Sequence, residues 1–316
     1  MFNKLYNIDK LLPFFEDTRR IEDDYIIIKK LIFTDKNCND FYLNQKEFII
    51  VLYKNSEEIK NYFIKKVNWR LHANTILKEL IILKKIEEDK KREHINIIKL
   101  QDYFRDAYNT RYFCIVLEYA EKGDLYHIIH ENGKLIEDDS TNFFCQLIEG
   151  IYYLHSQYIA HLDIKPENIV ITKDNVLKIC DFNLSVLFEN PNNNKLDITQ
   201  LYIKKVVGSL RYIAPEIFDC IKTGNPYNPF FADVWSCGIV FYIMLMGHFP
   251  FKGNTIDEVF QNIKNKQYEK TLQSSNFISD KSKDLIYYIL QIDILIRPNI
   301  CDIKHKIISY YDDIQN

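Results

Sequence analysis

The chain has 316 residues, 47% of them hydrophobic and 27% charged, so it can bury a sizeable core and is not a disordered chain. With 41 Lys and Arg against 44 Asp and Glu, the net charge is −3, which lacks the basic excess expected of a nucleic-acid binder. Eight glycines and eight prolines are too few for a collagen-like or low-complexity chain, and seven scattered cysteines without a C-x-x-C pair point to reduced buried thiols, not disulfides or a zinc site.

Residues 1–20 hold no continuous apolar run, so no secretory signal is expected and a cytoplasmic location is the default. Residues 25–52 are rich in Ile, Phe, Tyr and Val and are expected to form strands, as are 61–69. Leu77, Leu80, Ile81, Leu83, Lys84 and Ile86 then follow a helical period, and the charged run 87–93 is expected to be a solvated helix end. Residues 112–119 are strand-like again. After Gly123 the pattern turns helical, over 143–155, 232–246, 255–264, 281–291 and 298–311, with a polar loop at 189–195. The apolar run 234–247 is too short to span a bilayer, so a buried core helix and no membrane span are expected. A β-rich first third before a helical remainder suggests two lobes in an α+β fold. We divide the chain into an N-terminal extension (1–24), a β-rich N-lobe (25–118) and a helical C-lobe (119–316).

The segment His161-Leu162-Asp163-Ile164-Lys165-Pro166-Glu167-Asn168 is followed thirteen residues after Asn168 by Asp181-Phe182-Asn183. Ala214-Pro215-Glu216, then Asp233-Val234-Trp235-Ser236-Cys237-Gly238 and Arg297-Pro298, follow in order. This ordered set resembles the motifs of the eukaryotic protein kinases. The resemblance implies the bilobal protein kinase fold, with one main helix in the N-lobe, and transfer of phosphate from ATP with Mg²⁺ to protein substrates with Ser or Thr acceptors. It implies that Asp163 orients the substrate hydroxyl and takes its proton. Lys165 would neutralise the moving phosphate, and Asn168 and Asp181 would supply the hard oxygen ligands that Mg²⁺ requires. Lys165 and Ser209 resemble the serine/threonine class.

Upstream, Tyr62-Phe63-Ile64-Lys65-Lys66-Val67 resembles the third strand of the kinase N-lobe, which makes Lys65 the grip on the α- and β-phosphates. Glu79 is its expected partner, with Glu87 and Glu88 as competing choices. By the same resemblance Leu117 is the residue behind the adenine, Glu118 and Ala120 offer hinge backbone groups, and Asp124 stands near the ribose. Val51, Phe63 and Val170 are expected to enclose the base.

The pattern is broken in places. No glycine precedes Gly123. Counting back from Lys65 puts Asn44, Lys46 and Ile49 where the phosphate-covering glycines belong, with Val51 as the valine of that loop. Phe63 stands where a small residue usually roofs the adenine. Asn183 replaces a glycine and is a residue that tolerates positive φ. Leu162 replaces the arginine that reads a phosphate on the activation loop, so activity is expected not to depend on phosphorylation at Thr199 or Tyr202. Phe63-Ile64-Lys65-Lys66 spells the tetrapeptide of the apicomplexan FIKK kinases, which also lack the glycine triad. Arg19-Arg20-Ile21-Glu22-Asp23 loosely resembles a parasite export motif, though a charged surface turn is the favoured reading. The rival functions are a pseudokinase scaffold and a small-molecule phosphotransferase.

Overall fold

The computed structural model describes residues 17–34, 45–54, 60–88, 94–189 and 197–311. The chain divides into two compact units, one of residues 1–93 and 98–119 and the other of 94–97 and 120–316.

The first unit is built on a six-stranded sheet. Its elements in chain order are β1 (Thr18–Arg19), the short helix α1 (Ile21–Asp24), β2 (Tyr25–Thr34), β3 (Gln45–Tyr53), β4 (Asn61–Asn68), the long helix α2 (Trp69–Glu88), β5 (Leu100–Asp106) and β6 (Tyr112–Glu118). The strand order is β1-β5-β6-β4-β3-β2, and every pairing is antiparallel except the short β1–β5 contact. Alternation along the strands puts Ile49, Val51, Tyr62, Ile64, Phe104, Cys114 and Val116 into one buried cluster with Ile21 and Tyr25. Residues 18–24 are therefore part of this unit and not an extension outside it. Arg19 bonds Asp17, Asp24 and Asp102, lies 4.7 Å above the Phe104 ring, and is followed by the buried Ile21. Helix α2, kinked at His72, buries Ile76, Leu80 and Leu83 at the spacing of one face.

The second unit is mainly helical. It contains α3 (Leu125–Asn132), α4 (Glu137–Ser156), β7 (Ile159–Ala160), β8 (Ile169–Ile171), β9 (Leu177–Ile179), β10 (Val186–Leu187), α5 (Pro215–Thr223), α6 (Pro229–Met246), α7 (Ile256–Lys264), α8 (Tyr268–Gln273), α9 (Asp280–Ile289) and α10 (Ile300–Tyr311). Residues 94–97 belong to it because Asn96 accepts from the Ile179 amide and donates to the Leu177 carbonyl. Helix α6 is apolar on all sides and packs at the centre, with Phe241 stacked on Phe144 of α4 at 4.1 Å. Among the described residues α6 is the one helix long and apolar enough to cross a bilayer, and most of it is buried inside the unit. At its end Gly247 takes φ +73°, where an added Cβ would lie 1.9 Å from the Gly133 carbonyl oxygen. The described cysteines are free thiols, and Cys38 lies outside the described residues. Burial pushes Cys145 up to about 11 and raises Cys237 as well.

Arg297 pairs with both oxygens of Glu216 at 2.7 and 3.0 Å, donates to the Gln291 and Phe231 carbonyls, and lies 5.1 Å above the Trp235 ring. Its side chain has no exposed surface. Arg297→Ala strands the Glu216 carboxylate and is expected to lower stability by about 3–5 kcal/mol, measured by urea unfolding.

Candidate active site

In the first unit, β4 and α2 bring one buried ion pair together. Lys65 Nζ lies 3.0 and 2.9 Å from the two oxygens of Glu79, and both residues are buried. The helical period sets this partner: Glu79 falls on the face that carries Ile76, Leu80 and Leu83, whereas Glu87 is exposed and the Glu88 side chain is outside the described residues.

Strand alternation orders the rest of that surface. Phe63 and Lys65 share a face of β4, and their partners across β3 are Ile50 and Phe48. Phe48 stacks on Phe63 at 5.3 Å and 23°. Leu117 pairs with Phe63 across β6 and is on the same face. Val51 is not. It pairs with Tyr62, is fully buried, and belongs to the cluster on the opposite face. The count from the loop valine is off by one residue, which in a strand moves a side chain to the other side. Ile49, placed by that count at a glycine, is a mid-strand core residue. Asn44 lies outside the described residues, as does the Lys46 side chain. The Glu118 amide donates to the Lys99 carbonyl at 3.0 Å, and the Ala120 carbonyl accepts from the Gly123 amide at 3.1 Å. Backbone groups of both expected hinge residues thus have local partners.

The second unit gathers a dense polar network. Asp163 Oδ2 accepts from Lys165 Nζ at 2.8 Å and from Asn168 Nδ2 at 2.8 Å, and its Oδ1 accepts from Ser209 Oγ at 3.0 Å. Lys165 also donates to Ser209 Oγ at 2.9 Å. A single 3₁₀ turn over Pro166–Asn168 makes this possible by folding Asn168 back toward Asp163. Because Asn168 spends its amide hydrogens on Asp163, its Oδ1 is the atom left to face a cation. Asn168 and Asp181 are both oxygen donors of the kind Mg²⁺ selects, so the residues present fit that ion.

Behind the network, the buried Asp233 accepts from the amides of His161 and Leu162, each at 2.7 Å, and from His155 Nε2 at 3.0 Å. Leu162 needs that support because it sits at φ +64°, which is uncommon for a leucine. Such a residue costs about 1–3 kcal/mol, and a hydrogen bond to a charged group contributes about 1.5–3 kcal/mol. Asp181 also takes positive φ, whereas Asn183, which stands in place of a glycine, does not. Phe182 is fully buried and packs on the His161 ring at 5.3 Å. Asp124 caps α3 through the His127 amide, and its backbone bridges Val170 in β8. Cys180 donates its thiol to the Asn168 carbonyl.

The protein kinase domain family model matches residues 49–307. This chain belongs to that family. The kinase domain is 35% identical over 241 residues to the probable serine/threonine-protein kinase HSL1 of Saccharomyces cerevisiae, covering 76% of this chain and 14% of that protein. It is 37% identical over 190 residues to the SNF1-related protein kinase catalytic subunit alpha KIN12 of Arabidopsis thaliana, covering 60% and 35%. It is 31% identical over 245 residues to calcium-dependent protein kinase 4 of Plasmodium berghei, covering 76% and 43%. The chain thus spans less than half the length of each of these relatives.

Sequence reasoning missed Phe48 and Ile50 on the Lys65 face of the kinase sheet. The signal that finds them is the period of two, counted across the hairpin from Lys65 instead of along the chain. Asp233→Asn puts an amide NH₂ against donors that need an acceptor. It is expected to cost about 1–3 kcal/mol of stability, measured by urea unfolding.

Proposed function

We propose that this kinase domain transfers the γ-phosphate of ATP to Ser or Thr of protein substrates, without a glycine triad and without an activating phosphate. The observation that carries this reading is the closed set of bonds among Asp163, Lys165, Asn168 and Ser209. Asp163 is held by three donors, so its carboxylate is oriented before any substrate arrives, and it receives the proton of the acceptor hydroxyl. Lys165 is held between Asp163 and Ser209, where its charge offsets the negative charge of the transferring phosphate. Lys65, fixed by Glu79, grips the nucleotide's phosphates. Asn168 and Asp181 would hold Mg²⁺, which would supply charge neutralisation. The names of the three relatives, each a protein kinase, support the class. A scaffold-only reading has no missing acid–base or metal-ligand residue to rest on.

The activation segment supports independence from phosphate. Ile203 and Tyr227 exchange two backbone bonds at 2.9 and 2.8 Å, Tyr227 Oη donates to the Lys205 carbonyl, and Asn228 Nδ2 donates to the Ile198 carbonyl. These neutral bonds hold residues 198–205 of the segment, in a chain where the family's arginine is replaced by Leu162. The narrower FIKK placement rests on Phe63 to Lys66 and on the glycine-free stretch before Gly123; the relatives supply the class and not this subdivision.

Labelled phosphate from Mg-ATP is expected on Ser and Thr of a degenerate peptide library, and Asp163→Asn is expected to lower the rate by about 10²–10⁴-fold. A folded parent protein that labels no peptide would overturn the reading. Phosphatase treatment is expected to leave the rate unchanged, and its loss would show that an activating phosphate is required.

A further inference from the structure

The sheet face that carries Lys65 is apolar around it. Phe63 precedes Lys65 by two residues in β4, Phe48 and Ile50 stand across from Lys65 and Phe63 in β3, and Leu117 stands across from Phe63 in β6. Leu117 is buried, whereas Phe48, Ile50 and Phe63 each keep part of their surface exposed. The two rings lie 5.3 Å apart at 23°, close to the offset stack that aromatic pairs prefer.

Residues 47–52 of β3 are paired with β2 on one side and with β4 on the other. Their backbone donors and acceptors are therefore spent in the two ladders. What β3 presents across from Lys65 is a ring and not an amide. The Lys65 ammonium itself is held by both oxygens of Glu79. Half-exposed rings and a fixed cation on one face suit a ligand with a flat apolar part and an anionic part. A nucleotide has both, and any nucleobase offers a π-face to an aromatic side chain.

We propose that the nucleotide's base stacks on Phe63, that Phe48 holds that ring in place by its own stack, and that Lys65 holds the phosphates as a separate grip. The nucleotide comes from the phosphate-transfer reading, on which this assignment rests. Phe63 is then a binding residue that replaces backbone contacts with ring contacts, and Phe48 is a positioning residue behind it.

Adenosine, ATP and inorganic tripolyphosphate separate the two grips, and calorimetric titration of the full chain measures each Kd. Phe63→Leu keeps apolar bulk and removes the ring. It is expected to weaken adenosine and ATP by at least about fivefold, the lower bound for losing one base stack, and to leave tripolyphosphate unchanged. Lys65→Met is expected to show the reverse split, weakening ATP and tripolyphosphate but not adenosine. Phe48→Leu is expected to weaken adenosine alone of the two separate parts, and Phe48→Tyr to restore it. Phe63→Leu that weakens tripolyphosphate together with adenosine overturns the assignment, because the ring then only supports the sheet. A smaller change in adenosine affinity overturns it too, as does tighter adenosine binding by Phe63→Ala, which marks the ring as an obstruction. A parent chain that binds ATP but only one of adenosine and tripolyphosphate overturns the two grips and leaves the phosphate-transfer reading standing. One that binds no ATP overturns both.

Discussion

Asp233 is almost wholly buried, yet its two oxygens collect hydrogens from the amides of His161 and Leu162 and from the His155 ring. Those bonds hold a leucine in a left-handed conformation one residue before Asp163. Without an acceptor there, two backbone donors would be buried unmet and the loop would lose its reason to stay strained. The position of Asp163, and through it of Lys165 and Asn168, follows from that one carboxylate.

The first unit solves a different problem. Lys65 and Glu79 are taken out of water together, which is tolerable because each oxygen of the carboxylate meets the ammonium and the surrounding side chains are apolar. The pair fixes α2 against β4. Around it, the face of Lys65 is furnished with aromatic and aliphatic side chains, Phe48, Ile50, Phe63 and Leu117. The opposite face holds the core of the sheet. One strand period therefore separates the face of Lys65 from the core of the sheet.

Much of this was legible in the sequence, for reasons that differ by residue. Spacing within one short loop determines where Asp163, Lys165 and Asn168 meet, so their arrangement could be read from the chain. Glu79 was legible because a helix of period 3.6 puts one of three candidate glutamates on the buried face. Val51 was not, because a distance along the chain does not fix strand register, and a slip of one residue reverses the face. Residues 20, 22 and 23 are exposed, as a charged surface turn should be, but Ile21 is buried among them and the half-buried Arg19 bonds three carboxylates over a phenyl ring, packing that charged letters do not reveal. The tolerance of Asn183 for positive φ is not drawn on, since Asp181 and not Asn183 takes that conformation.

The bonds of Arg19 bear on what counts as the smallest foldable piece of this chain. The family match begins at residue 49, in the middle of β3. A protein trimmed to that match would lose β1, β2 and part of β3. Asp102 would lose its Arg19 and Tyr25 partners, and the newly opened edge of β3, stripped of β2, would invite pairing with a neighbouring chain. The evolutionary domain and the autonomous folding unit therefore differ in extent. The difference is the N-terminal segment, which the motifs do not mark and which closes the sheet.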